Sequence, residues 1–243
     1  HRPRTELEAR GCEACHGPGS LHVERANSHS LIWDRILGSG LPALKNAKTQ
    51  IDSCAPCHSR RGIVSTGFKP GDEFLDHYVP ELLDGETYFA DGKIREEVYE
   101  YGSFLQSRMY REGVRCTDCH DAHAGRLRAE GNNVCTRCHL TGKYDTPAHH
   151  HHAIGTKGAQ CAECHMPERN FMVVDPRRDH SIRVPRPDLS ARLGTPNACN
   201  GCHQDKTPNW ASEQIVAWFG PRRPDDPHFG LALAAGKEGK PQG

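Results

Sequence analysis

Apolar positions along this chain are sparse and seldom periodic. The clearest helical signal lies toward the C-terminal end, where Ala211, Ile215, Trp218 and Phe219 fall on one face of a helix. Thr207-Pro208 offers an N-cap followed by a first-turn proline, and Gly220-Pro221 supplies a stop. A second helix is predicted over Ser103 to Glu112, ending at Gly113. Residues 70–95 carry Pro, Gly and Asp turn signals. A short helix after Asp226-Pro227 is left little to pack on by Gly236 and the polar tail from Lys237 to Gly243. No stretch sustains the alternation of a half-buried strand, and none approaches the roughly 20 apolar residues of a membrane span. The predicted fold class is mainly α with much irregular loop and little or no β-sheet.

Composition sharpens this picture. Leu, Ile, Val and Phe number 41 of 243 residues, about 17%, below the roughly 20% that accompanies disorder. Disorder also calls for high net charge, whereas 31 basic side chains balance 31 acidic ones. The same balance gives no argument for nucleic acid or an anionic membrane as partner. A chain this long holds one or two domains, yet its aliphatic side chains are too few for an ordinary core. Something else must fill the interior. The chain opens at His1 with no Lys/Arg-led apolar leader, which reads as a mature or trimmed form.

The cysteines say what that filler is. All twelve fall in C-x-x-C pairs: Cys12/Cys15, Cys54/Cys57, Cys116/Cys119, Cys135/Cys138, Cys161/Cys164 and Cys199/Cys202. Each pair is followed at once by a histidine: His16, His58, His120, His139, His165 and His203. With 17 histidines in the chain, six of six by chance is on the order of one in ten million. C-x-x-C-H is the c-type haem attachment signature: two thiols add to the porphyrin vinyl groups and the next residue turns its imidazole to the iron. Zinc sites pair cysteines too, but tetrahedral zinc requires no histidine after every pair. Redox or disulfide pairs likewise leave six histidines unexplained. Six covalent haems c are therefore predicted, about 40 residues apiece, so that stacked macrocycles form the core. With two propionates each, the loaded protein carries about −6 oxidised and −12 reduced. Arg60, Arg61, Arg177, Arg178, Arg183 and Arg186 are candidate propionate partners.

Eleven histidines remain for the distal positions, against three methionines, Met109, Met166 and Met172, so most centres are expected to be bis-His. His123 follows proximal His120 by three residues and His22 follows His16 by six, so each is expected to reach a neighbouring haem. The run His149 to His152 is expected to give one or two ligands, because four adjacent imidazoles cannot face one iron. His180 and His77 are single candidates, and His29, two helical turns from His22, is a reserve. His1, His151 and His228 complete the set.

Successive motifs start 42, 62, 19, 26 and 38 residues apart. The expected layout is a two-haem segment over 1–69, a haem-free connector or lid over 70–113, a four-haem segment over 114–206, and a terminal helix and tail over 207–243. The spacing is too irregular for a solenoid.

GCEACHGPGS (11–20), CAPCHSRR (54–61), YGSFLQSRMY (101–110), CTDCHDAHAGRLRAEGN (116–132), YDTPAHHHH (144–152), CAECHMP (161–167), DHSIRVPRPDLS (179–190) and LGTPNACNGCH (193–203) together resemble the multihaem cytochromes c often joined to tetratricopeptide-type repeats. These belong to the broad group that includes nitrifier cytochromes and hydroxylamine-oxidoreductase-like proteins. The resemblance covers roughly residues 11–219. Relatives usually carry further haem motifs upstream and helical repeats downstream, which this sequence lacks, so a processed piece or shortened relative is expected. The family pattern H-H-x-H implies His149, His150 and His152 rather than His151 as ligands, and the resemblance implies an exported, haem-loaded electron-transfer protein.

Two function classes compete. The favoured one is a non-catalytic electron conduit in the periplasm or outside the cell, serving redox partner proteins or extracellular acceptors. A homo-oligomeric haem filament, or nanowire, is a subclass of it. The alternative is an oxidoreductase acting on a small nitrogen or sulfur compound at one haem with an open distal position. Ammonia-forming nitrite reductases commonly use C-x-x-C-K there, whereas all six motifs here end in His. Hydroxylamine-type chemistry asks for a tyrosine beside a five-coordinate haem, and sequence does not place the six tyrosines. A purely structural or haem-storage role ranks third.

Overall fold

Short helices dominate because the motifs, with Pro and Gly between them, leave few uninterrupted runs. The computed structural model describes residues 11–27, 44, 46–171, 173–221 and 227–240; His1, His29 and Met172 lie outside the described residues. Described helices run from four to twelve residues. β-structure is confined to three two-stranded antiparallel hairpins, so the fold is mainly helical with irregular loops. The chain divides into two compact units, His1–Pro80 with Gly113–Cys116, and Glu81–Glu112 with Thr117–Gly243. The division falls within the third motif.

In the first unit, helix α1 (Ala47–His58) starts on an Asn46 cap whose side chain accepts from the Thr49 amide at 2.8 Å, and it carries the second motif in its last turn. The hairpin of β1 (Arg61–Ile63) and β2 (Tyr78–Pro80) follows. A short 3₁₀ turn at Phe74–Asp76 buries Phe74 completely, and Asp52 of α1 accepts from the Phe74 amide at 3.4 Å.

In the second unit the stretch between the second and third motifs folds into a packed body. Tyr88, Ile94 and Val98 form a buried cluster with Phe171, and Leu83 packs against it. Where one helix was expected over Ser103 to Glu112, there are two: α2 (Tyr99–Leu105) and α3 (Arg108–Arg111). Ser107 makes the break. Its backbone is extended and its hydroxyl accepts from the Tyr110 amide at 3.0 Å, the capping alternative that serine offers against continued helix.

Hairpins β3 (His120–Asp121) with β4 (Arg126–Leu127), and β5 (Glu168–Phe171) with β6 (Asp175–Arg178), flank helix α4 (Pro147–His150) in chain order. Helix α5 (Pro187–Leu193) packs against α6 (Pro208–Phe219). Helix α6 begins as expected, with Thr207 accepting from the Trp210 amide at 3.2 Å, Pro208 in the first turn and Gly220 ending it. The last helix, α7 (Phe229–Lys237), is nine residues long and docks after all. Gly230 lies so close to the Ala90–Asp91 backbone that a Cβ would stand 2.9 Å from the Ala90 carbonyl, and Lys237 donates to the Asp84 carbonyl. Backbone approach through a glycine supplied the packing that the polar tail did not.

Only eleven apolar side chains are buried among the described residues. That is too small a core for a chain of this length. Ile63, Leu140, Ile154, Val173 and Val174 stand exposed.

Candidate haem sites

Each motif is about one helical turn, which sets its two thiols and its imidazole on one side. In the first, fourth and sixth motifs the histidine amide bonds back to the first cysteine's carbonyl: His16 to Cys12 at 2.9 Å, His139 to Cys135 at 3.0 Å and His203 to Cys199 at 2.8 Å. None of the twelve cysteines is tied up in a disulfide, so every thiol is chemically able to form a thioether.

The thiols do not share one depth. Cys138 of the fourth motif and Cys202 of the sixth are exposed, as are Cys12, Cys15 and Cys57, whereas the other seven are half-buried. The reason is local. Cys138 lies past the end of the short helix Asn133–Thr136, its amide bonded to the Cys135 carbonyl at 3.2 Å, and Cys202 is the last residue of the helix Ala198–Cys202. Protein atoms pack against the start of each turn, where Cys135 and Cys199 sit, and leave its end open.

Neighbouring motifs are pinned together by specific side chains. Asn132, just ahead of the fourth motif, donates to Asp145 at 2.7 Å and to the Ala159 carbonyl at 2.9 Å, and accepts from the Cys161 amide at 2.8 Å. That network brings Cys135 and Cys161 of successive motifs into hydrogen-bond contact. The contact pushes Cys135 up and Cys161 down. Arg137 donates to the Asp118 carbonyl at 2.7 Å and Arg128 to the Thr117 carbonyl at 2.5 Å, tying the fourth motif and β4 to the third. Cys164 is pushed up to about 11, first by burial and then by Cys199 of the sixth motif, with a smaller part from Cys202. Cys119 is raised by burial, then by Asp118 and by Cys138. In the first unit, Cys54 meets Cys116 and is pushed up by that contact and by burial, and Cys15 is raised by burial, then Cys54 and Cys57.

The expected distal candidates part company here. His149 faces His165, His180 faces His120 and His152 faces His203, each with ring centres 6.2 Å apart. A metal–imidazole bond of about 2 Å plus about 1.1 Å from nitrogen to ring centre, taken twice, gives about 6.2 Å. The spacing would suit an iron held between the two imidazoles. In every pair one Nδ1 is bound to a backbone carbonyl: His165 to Arg183 at 2.7 Å, His180 to Arg178 at 2.9 Å and His152 to His150 at 2.5 Å. A proton held on Nδ1 leaves the Nε2 lone pair for a metal. Burial, then His165, holds His149 below the usual histidine range and so neutral.

The other histidines make different contacts. His150 accepts the His152 amide on Nδ1 at 3.2 Å, which keeps its proton on Nε2, and it faces no proximal imidazole among the described residues. His151 adopts a left-handed backbone and lies flat on Trp218, ring centres 4.2 Å apart. His228 accepts the Gly230 amide at 3.1 Å and caps α7. His22 is half-buried in the helix Ser20–Asn27, and His123 lies in a turn whose amide donates to Asp121 at 3.1 Å. His77 sits edge-on to Phe68, ring centres 5.5 Å apart, with Nε2 3.6 Å from Asp72. Its Nδ1 and the Arg61 Nε are buried without a hydrogen-bond partner, both on the hairpin that follows the second motif. Those two atoms, the 6.2 Å pairs and the small apolar core all fit haem.

Four of the six arginine candidates have acceptors within the protein. Arg186 grips Asp188 through two nitrogens at 2.7 and 2.6 Å, Arg178 donates to Glu163 at 2.6 Å, Arg177 to Asp175 at 2.7 Å, and Arg183 is fixed by Ser181, Asp91 and Gln106. Tyr144, edge-on to both His139 and His149 at 5.8 and 5.4 Å, was not singled out in the sequence. No periodic signal marks it.

A family model described as a doubled CXXCH motif matches residues 109–143. The multiheme cytochrome MtrA of Shewanella baltica (strain OS185) is 22% identical over 199 residues, covering 80% of this chain and 42% of the relative. The solved structure of the outer cell wall cytochrome OcwA superimposes with a TM-score of 0.55 at 18% identity, over 85% of this chain and 56% of that one. The chain is thus similar to multihaem c-type cytochromes in its paired motifs and in its fold. It spans less than two thirds of either relative's length. None of its described helices is long and apolar enough to cross a membrane.

Proposed function

We propose that the protein is an electron-transfer cytochrome holding six haems c at its six motifs, with His149, His152 and His180 as distal ligands of the fifth, sixth and third. Bound haem supplies reversible one-electron exchange at iron. The residues carry the rest. His165, His120 and His203 oppose their partners at a spacing at which both imidazoles of a pair would hold one iron, leaving no position for substrate. Cys135 with Cys161, and Cys54 with Cys116, place consecutive attachment points in contact, as serial transfer requires. Cys138 and Cys202, exposed on the open ends of their turns, would hold the fourth and sixth haems within reach of a redox partner. His22, His77 and His123 remain the candidates for the other distal positions.

The recurring 6.2 Å spacing carries this reading. Haem attachment takes place after export, which places the protein in the periplasm or at the cell surface, beside redox partner proteins or an extracellular acceptor. The likeness to OcwA, an outer cell wall cytochrome, supports that location. A pyridine haemochrome assay tests the count: six haems per chain are expected, and far fewer would overturn it. Electron microscopy of native material tests assembly into a filament.

One observation favours the enzymatic alternative. The ring beside His139 is Tyr144, and at 5.8 Å edge-on there is no space for a porphyrin between them, so Tyr144 lies on the proximal side. Among the described residues no imidazole stands opposite His139. EPR of the oxidised protein decides: low-spin signals alone support the conduit, whereas a high-spin centre that binds cyanide or nitrite supports a catalytic fourth haem.

A further inference from the structure

Ile182 occupies the left-handed region at φ +44°, where a β-branched side chain is strained. The bonds of the next residue explain what holds it there. The Arg183 amide donates to the His165 carbonyl at 3.1 Å, and the Arg183 carbonyl accepts from His165 Nδ1 at 2.7 Å. Both backbone groups of one residue thus close on the fifth motif's histidine.

The Arg183 side chain is fixed at three points. Nε donates to Ser181 Oγ at 2.6 Å, Nη1 to the Asp91 carbonyl at 2.5 Å and Nη2 to Gln106 Oε1 at 2.6 Å. Asp91 and Gln106 belong to the stretch between the second and third motifs, which carries no attachment motif of its own. Asp91 is itself locked: it is 1% exposed and accepts from Thr195 Oγ1 at 2.9 Å. Gln106 sits at the break between α2 and α3 and donates to the Gly102 carbonyl at 3.2 Å. Gly92, at φ +81°, leaves the passage open, since a Cβ there would stand 2.9 Å from Arg183 Nη2 and closer still to Gln106 Oε1.

We propose that this motif-free stretch acts through Arg183, a positioning residue, to hold His165 as a strong axial donor and so lower the reduction potential of the fifth haem. The proposal rests on the haem-binding reading of the motifs. A proton donated from Nδ1 to a carbonyl makes an imidazole more basic, and a more basic ligand favours the ferric over the ferrous state. The strain at Ile182 is offset by the three guanidinium bonds, so loosening them lets the turn relax and weakens the bond to His165.

The test uses the holoprotein and substitutions that keep charge constant: Arg183→Lys, Gly92→Ala and Gln106→Leu. Haem content is measured first, then a potentiometric titration followed by visible absorption and low-temperature EPR. The expected result is a full haem complement with a single component shifted upward in potential and altered in its low-spin g values, the others holding. Full haem content with every potential unchanged overturns the proposal, as does an equal shift of all components, which marks a general loosening. Too few haems in the unmutated protein overturns the haem reading instead, so the two failures are distinct. Should none of the three variants mature, the unmutated protein still decides: the His165 ring N–H is expected to exchange slowly with solvent, and fast exchange overturns the proposal.

Discussion

Four consecutive histidines end in different places because helix α4 stops at His150 and His151 takes the left-handed conformation, turning the following residue back. His149 looks to His165, His151 lies on Trp218 and His152 looks to His203. Their roles follow from which ring nitrogen is engaged, a distinction no spacing rule contains. His180→Ala is expected to retain six haems and convert one low-spin centre to high spin, while His150→Ala leaves every centre low spin; EPR beside a haemochrome count checks both. A carboxylate in the fifth motif gives a pH signature. Burial alone would raise Glu163, but the hydrogen bond from Arg178 and the charges of Arg178 and Lys157 outweigh it and hold the carboxyl below its usual range. Its stabilisation is present above the unfolded value of about 4.3 and is lost as pH falls through the lower folded value. Glu163→Gln should therefore cost up to about 1 kcal/mol near neutrality, a cost that shrinks as pH falls below about 4, as read from denaturant midpoints across pH.

At the scale of elements, short helices are positioned by side chains between them rather than by their own length. Asn132 shows this most clearly, bonding at once to Asp145, the Ala159 carbonyl and the Cys161 amide. Asn132→Leu leaves that amide and carbonyl without partners, at a cost of about 1–3 kcal/mol each if they stay buried. Lower thermal stability is expected, together with perturbed EPR signals from the fourth and fifth centres and little change elsewhere. Helix α6 was legible from its cap and apolar face, because both signals are local. The break at Ser107 and the docking of α7 were not. A serine cap competes with helix by a small margin, and Gly230 packs against Ala90 and Asp91, which are remote in sequence.

For the molecule as a whole, the few buried apolar side chains cannot offset the conformational entropy of a chain this long. Protein made without haem attachment is expected to show little cooperative unfolding and to be cleaved rapidly by protease, whereas the loaded form unfolds cooperatively; calorimetry and limited proteolysis compare them.

The candidate attachment chemistry is legible in the sequence alone. Six C-x-x-C-H turns need only local backbone geometry to set two thiols and an imidazole on one side, so attachment sites, proximal histidines and the mainly helical class are readable residue by residue. Tertiary structure decided which distant histidines stand opposite three of the proximal ones, which thiols stay open to solvent, as Cys138 and Cys202 do, which arginines have protein acceptors, and that the motif-free stretch closes on Arg183. Those outcomes depend on approach between residues tens of positions apart, and such approach leaves no period or spacing in the chain to be read.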